Sequence, residues 1–275
     1  MFRDITLGQY YPVDSVIHRI DPRVKLLGTV VYIASLFIIN NILGCIFLAG
    51  ILAVLIALSR VPFRHMVKGL RAMTILIIFA VIFNVFSGTG EVIWQWWILK
   101  LSYQGILRAA FFAVRIVCVV LGAGLLTYTT TPTTLTNGME KVFGHLRFMH
   151  FPAHEIAMMM SIALRFIPIL AEEVTKITNA QLARGADFET GGVIKRAKGM
   201  VPILIPLFIS AFKRASDLAS AMEARCYHGG DGRTKMYPLE YKTRDKAAYI
   251  IIALYLAAVI VIRVLMDRFL IWGRI

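Results

Sequence analysis

Apolar residues dominate this chain in long runs, separated by short basic stretches, and the lengths of the runs set the first expectations. Leu26 to Ser59 contains no charged residue. As one helix that run would reach roughly 50 Å, against a hydrocarbon core of about 30 Å. Asn40-Asn41 and Gly44 fall near its middle, and paired Asn side chains are costly at bilayer depth. The pattern therefore predicts a helical hairpin over 25–40 and 43–59. A third span is predicted over 71–88, ended by Ser87-Gly88-Thr89-Gly90 and followed by the Trp94, Trp96, Trp97 cluster, a composition suited to the membrane–water interface. A fourth helix runs from near Ser102 to Thr129, with Arg108 and Arg115 in its first half. Those two arginines are read as snorkelling or meeting protein and headgroups. Ala247–Ile262 is again uncharged and predicts a last span finishing near Arg274.

Between Pro132 and about Lys246 the character changes. Charges of both signs recur every few residues and apolar positions come at helical spacing, which predicts long amphipathic helices at the cytoplasmic face. The expectation is an all-α integral membrane protein: transmembrane helices 1–4 in 1–131, a cytoplasmic coupling-helix domain in 132–246 and a fifth transmembrane helix in 247–275. Composition agrees. Of 275 residues 58% are hydrophobic, above the 45–50% typical of soluble domains. The formal net charge is nevertheless +14, from 30 Lys and Arg against 16 Asp and Glu. The stretch with Arg60, Arg64, Lys68 and Arg71 carries no acid and marks a cytoplasmic loop. Five spans with the N-terminus inside put the C-terminus outside, although Arg263, Arg268 and Arg274 against Asp267 run counter to the charge rule. The first residues lack the apolar core of a cleavable signal. Cys45, Cys118 and Cys226 show no paired spacing, which excludes a disulfide framework and a cysteine zinc site.

Two short stretches in the amphipathic region match. Ala180-Gln181-Leu182-Ala183-Arg184-Gly185 and Ala221-Met222-Glu223-Ala224-Arg225-Cys226 both read Ala-x-x-Ala-Arg-small. Each closes a helical stretch with proline upstream, Pro168 in one, Pro202 and Pro206 in the other, and each precedes a turn-rich loop, with Gly191-Gly192 and Gly229-Gly230. A helix ending this way has no bulk beside the arginine, so it can enter a groove in another protein, where the guanidinium bonds carboxylates bidentately. One such site alone is read as an ordinary C-cap, with Arg meeting the helix dipole and Gly ending the helix. Two matching sites imply two receiving grooves, as a pair of homologous partners would supply. Elsewhere Arg165 is placed near Glu172 or Glu173, and Lys213 or Arg214 near Asp217, at helical spacing, as surface or inter-helix pairs worth little individually. His145, His150 and His154 lie near a helix boundary, and no metal site is assigned to them.

With these motifs the chain resembles the EcfT family, the transmembrane components of energy-coupling-factor transporters, which includes the cobalt-importer subunit CbiQ. His18-Arg19-Ile20-Asp21-Pro22-Arg23-Val24-Lys25 resembles the family's approach to its first span, and Leu126-Thr127-Tyr128-Thr129-Thr130-Thr131-Pro132 the end of its fourth. Ala163-Leu164-Arg165-Phe166-Ile167-Pro168 and Arg214-Ala215-Ser216-Asp217 precede the two arginine motifs in the family's order. The resemblance covers nearly the whole chain, with one departure: Cys226 stands where the family often has Gly. It implies that Ala183, Arg184, Gly185, Ala224, Arg225 and Cys226 dock onto two homologous cytosolic ATPases of the EcfA type. It further implies that Ile156, Met159, Met160, Ala163, Ile167, Ile203, Leu204, Leu207 and Phe208 contact a small integral substrate-binding S-component, so that ATP-driven motion supports uptake of a vitamin or metal ion. ATP and Mg would be bound by the ATPases and no cofactor by this chain, with no nucleic acid involved. The chain has no G-x-x-x-x-G-K-[ST] phosphate loop and no cluster of acids, His and nucleophile suggesting an enzyme. A conventional importer permease and a membrane enzyme stay open as alternatives.

Overall fold

The uncharged run folds as a helical hairpin, because an apolar segment in lipid can satisfy its backbone only internally. In a computed structural model describing residues 10–39, 41–86, 92–96, 99–144, 152–186, 188, 192–229 and 239–269, its arms are α1 (Pro22–Ile38) and α2 (Ile42–Ser59). α3 spans Phe63–Phe86, β1 Val92–Trp96, β2 Leu99–Ser102, α4 Tyr103–Thr129, α5 Pro132–Phe143, α6 Ala153–Ala183, α7 Val193–Ala224 and α8 Thr243–Phe269. The third helix begins eight residues before the predicted 71, and the last begins at Thr243 rather than 247. In both cases the helix continues beyond the uncharged core that marks it in the sequence.

One segment departs from the helical reading. β1 and β2 form an antiparallel ribbon pairing Trp94 with Leu101, Gln95 with Lys100 and Trp96 with Leu99. The β-branched and aromatic residues of Val92–Trp96 favour this over another turn of helix. Ser87–Gly90 and Trp97 lie outside the described residues.

The chain divides into two units, Gly8–Gly138 with Leu239–Ile275, and Met139–Pro238. In the first, α4 packs against α1, α2 and α3, and α8 lies along α1. The core joins Tyr32 and Leu36 of α1, Leu48 and Leu52 of α2, Met66 of α3, Cys118, Leu121 and Leu125 of α4, and Val259 of α8. α4 approaches α1 closely because Gly122 faces the Tyr32 ring; a Cβ there would fall 2.6 Å from it. Cys45 and Cys118 are buried free thiols. Arg115 donates to the Ile39 carbonyl at 2.7 Å and stacks over Phe111, so its charge serves the C-terminal end of α1.

The motif leading into α1 is a polar staple. Pro22 opens the helix and the Asp21 carboxylate caps it, accepting from the Arg23 N–H at 2.8 Å. The Arg23 guanidinium returns to the Asp21 carboxylate at 3.0 and 2.8 Å, donates to the Leu239 carbonyl at 3.1 Å and lies 3.8 Å from the Tyr241 ring centre. Asp245 in the first turn of α8 accepts from the Asp21 N–H at 2.9 Å and the Lys242 N–H at 2.8 Å. Asp21, Arg23 and Asp245 are all buried. Lys25 Nζ donates to the Thr129 carbonyl at 2.8 Å and to Thr130 Oγ1 at 3.3 Å, fastening α1 to the end of α4. His18 bridges the Ser15 hydroxyl and the Tyr11 carbonyl, and the Tyr11 N–H donates to the Tyr128 carbonyl at 3.0 Å.

Outward-facing side chains fit a lipid surround. On α3, Ile75, Phe79 and Phe83 are 81%, 68% and 66% exposed, and on α8 Ile251 and Leu254 are 65% and 66% exposed, a surface that soluble proteins rarely present to water. By length and composition α2, α4, α6, α7 and α8 can each cross a bilayer, and α3 qualifies if its two bent halves form one span. This set differs from the five expected spans: α1 has only 17 residues, about 25 Å of helix, while α6 and α7 qualify. In α6 the apolar residues concentrate in the N-terminal half, and in α7 the uncharged run 199–212 lies between the basic stretches 195–198 and 213–214. The chain is a multi-pass helical membrane protein.

Candidate functional site

In the second unit α6 and α7 pack against each other. Both run through their prolines, Pro168 in α6 and Pro202 and Pro206 in α7. The pair is tied by an ion pair from Arg214 to Glu173 at 3.2 Å, a contact between helices rather than the pairing along one helix that spacing alone suggests for Arg214 and Asp217. His154 Nδ1 meets Glu140 at 3.0 Å; His145 and His150 lie outside the described residues.

The two arginine motifs end these helices in the same geometry. At the end of α6, Arg184 is the C-cap, the Gly185 N–H donates to the Leu182 carbonyl at 2.9 Å and the Ala186 N–H to the Gln181 carbonyl at 3.0 Å. At the end of α7, Arg225 is the C-cap, the Cys226 N–H donates to the Glu223 carbonyl at 2.8 Å and the Tyr227 N–H to the Met222 carbonyl at 3.0 Å. Both are Schellman closures, whose residue after the cap is left-handed. Gly185 has φ +84° and Cys226 φ +56°. A Cβ on Gly185 would meet nothing within 4 Å, so within this chain the small residue is needed for its backbone angle and not for space. Cys226 bears the cost of a left-handed side-chain residue, about 1–2 kcal/mol.

This gives a local prediction. Gly185→Ala should speed amide exchange over residues 180–186, and Cys226→Gly should slow it over 222–228, each by roughly tenfold. Hydrogen–deuterium exchange on the full chain reads both. Unchanged protection in both variants would show that the closures do not depend on these angles.

Ala183, Arg184, Gly185, Ala224, Arg225 and Cys226 are all exposed. Among the described residues neither Arg184 nor Arg225 has an ion-pair partner. The nine apolar positions expected to contact a membrane partner divide. Met159, Met160, Ala163 and Ile167 of α6 and Leu204 and Phe208 of α7 are exposed; Ile156, Ile203 and Leu207 are half-buried. The α7 stripe is also longer than expected. Val201, Ile205, Ile209 and Phe212 are exposed beside Leu204 and Phe208, and Phe208 and Phe212 stack with ring centres 4.9 Å apart. Their spacing of three and four residues signals one face.

Fold and site together define a multi-pass membrane protein carrying two equivalent, arginine-tipped helix ends. The family model described as cobalt transport protein, CbiQ, matches residues 14–236. An energy-coupling factor transporter transmembrane protein EcfT from Clostridium kluyveri is 47% identical over 276 residues, covering 100% of both chains. Proteins of the same name from Ruminiclostridium cellulolyticum and Lactococcus lactis subsp. cremoris are 47% identical over 89% of this chain and 92% of theirs, and 40% identical over 99% of each. The chain belongs to the EcfT/CbiQ family of membrane transport proteins.

Proposed function

We propose that this chain is the non-catalytic coupling subunit of an energy-coupling-factor importer in the cell membrane. Two homologous cytosolic ATPases receive the ends of α6 and α7, one at Arg184 and one at Arg225, and supply all ATP and Mg chemistry. Their motion passes along α6 and α7 to a small integral substrate-binding subunit seated on the apolar surface around Met159, Met160, Leu204 and Phe208, and the cargo is a vitamin or metal ion.

The observation that carries this reading is the duplication of one helix-end geometry with an exposed, uncommitted arginine at each cap. A single arginine at a C-cap is accounted for by the helix dipole. Two in matched closures suit two related grooves, each offering a carboxylate for bidentate contact. The exposed methionines add a surface that can adapt to different partners.

The test is mass spectrometry of what co-purifies with the chain from native membranes in mild detergent. Two homologous ATPases and at least one small membrane protein are expected. Recovery of the chain without ATPases, while control complexes survive the same detergent, would overturn the proposal.

A further inference from the structure

A cavity of about 460 Å³ opens in the first unit where three segments meet: the chain before α1, the end of α2 and the start of α8. Its walls hold three guanidinium groups, Arg19, Arg60 and Arg244, and one carboxylate, Asp14. Arg19 is committed to Asp14, with Nε donating at 2.8 Å. Arg60 and Arg244 are exposed, and among the described residues neither has an ion-pair partner. The rest of the lining is Ser15 with the apolar Val16, Ala57 and Leu58.

The two arginines stand at opposite kinds of helix end. Arg60 is the left-handed C-cap of α2, φ +54°, its N–H donating to the Ala57 carbonyl at 3.3 Å, which holds its charge at the end of the helix. Arg244 is the second residue of α8, so its charge meets the positive end of the helix dipole. Two exposed guanidinium groups from different helix ends, without an ion pair among the described residues and lining one cavity, can clasp an anion between them. Position indicates which ligand. Ser59 ends one candidate span and Thr243 begins another, so Arg60 and Arg244 stand where two helices leave the hydrocarbon. Leu58, 48% exposed, lies on the lipid side of Arg60. Arg64 and Arg71 follow in the same basic stretch, which places this end at the cytoplasmic leaflet, where anionic lipids concentrate.

We propose that this cavity binds the phosphate of an anionic phospholipid, clasped by Arg60 and Arg244, with the start of the acyl region against Ala57 and Leu58. Cations on one wall and apolar atoms on the next match an amphiphile rather than a soluble phosphate ester. A choline headgroup brings its own cation toward the arginines, so phosphatidylglycerol binds in preference to phosphatidylcholine. Lipid held here bridges α2 and α8 at the membrane surface.

The experiment is native mass spectrometry of the full-length chain, with whatever subunits co-purify, titrated with phosphatidylglycerol or phosphatidylcholine. Phosphatidylglycerol occupancy is expected to exceed that of phosphatidylcholine. Arg60→Gly, which also relieves the left-handed angle, and Arg244→Gln should each weaken phosphatidylglycerol binding roughly tenfold, as loss of one charge-assisted bond does. Arg64→Gln, outside the cavity wall, should leave it unchanged. Equal retention of the two lipids, or equal weakening by Arg64→Gln, would overturn the site. Displacement of phosphatidylglycerol by millimolar inorganic phosphate would assign the cavity to a free anion and overturn the lipid.

Discussion

Replacing Arg184 and Arg225 together by glutamate is expected to abolish co-purification of the ATPases while leaving the chain folded. Both side chains are exposed at their helix ends, and both closures are built from backbone hydrogen bonds that do not involve the guanidinium. The substitution therefore changes what the partner meets and not how the helix ends. Truncating one member of a desolvated charge pair costs about 2–5 kcal/mol. Reversal adds carboxylate against carboxylate, so two reversals remove most of the affinity of a micromolar subunit contact, about 8 kcal/mol. Each single reversal should leave a partly assembled complex, with one ATPase weakened. Arg184→Gln with Arg225→Gln should fall between, because the donors shorten and the charge is lost without repulsion. Wild-type recovery of both ATPases with the double glutamate variant would remove these arginines from docking, provided the variant elutes as a monodisperse species.

Why the motif was legible, and what was not, follows from how each feature is encoded. Ala-x-x-Ala-Arg-small is local, and a helix end is a local structure, so its position could be read from residues 180–185 and 221–226. The reason for the small residue could not. Room for a partner and a left-handed angle both select a small residue, and the angle, seen at Gly185 and Cys226, is a property of the folded helix end that the sequence does not print. The hairpin of α1 and α2 was visible because a charge-free run longer than a bilayer must turn. α4 was visible because Ser102, whose hydroxyl accepts from the Gly105 N–H at 2.9 Å, is a strong N-cap. The ribbon of β1 and β2 was missed because Val92–Trp96 has a composition that suits either an interfacial segment or a strand, and pairing with Leu99–Ser102 decides it. The partner of Arg214 is hidden for a related reason: the spacing of Arg214 and Asp217 along one helix is visible in sequence, whereas the approach of Glu173 to Arg214 requires two helices to pack. The stripe continuing through Ile205, Ile209 and Phe212 was in the sequence at regular spacing, and a count carried past Phe208 would have found it.

The buried staple at the start of α1 yields the largest expected effect on stability. Arg23→Ala should lower it by about 3–5 kcal/mol, because the Asp21 carboxylate would remain buried without its cation. The same change removes the donor to the Leu239 carbonyl and the stacking on Tyr241, both of which hold the segment leading into α8. Arg23→Lys should rescue little. A lysine presents a point charge and cannot reach both Asp21 oxygens and the carbonyl while lying flat on the ring. Asp245→Asn should cost less than Arg23→Ala, since the amide oxygen can still accept one of the two N–H groups that the carboxylate now serves. The measurement is thermal unfolding of the purified full-length chain in one detergent, with the exposed Arg64→Ala as reference. The order expected is Arg64→Ala near wild type, then Asp245→Asn, then Arg23→Lys and Arg23→Ala lowest. An Arg23→Ala variant that unfolds with wild type would mean that the α1–α8 junction is held by the apolar contacts of these helices alone. The His-Arg-Ile-Asp-Pro-Arg motif would then need an explanation outside stability.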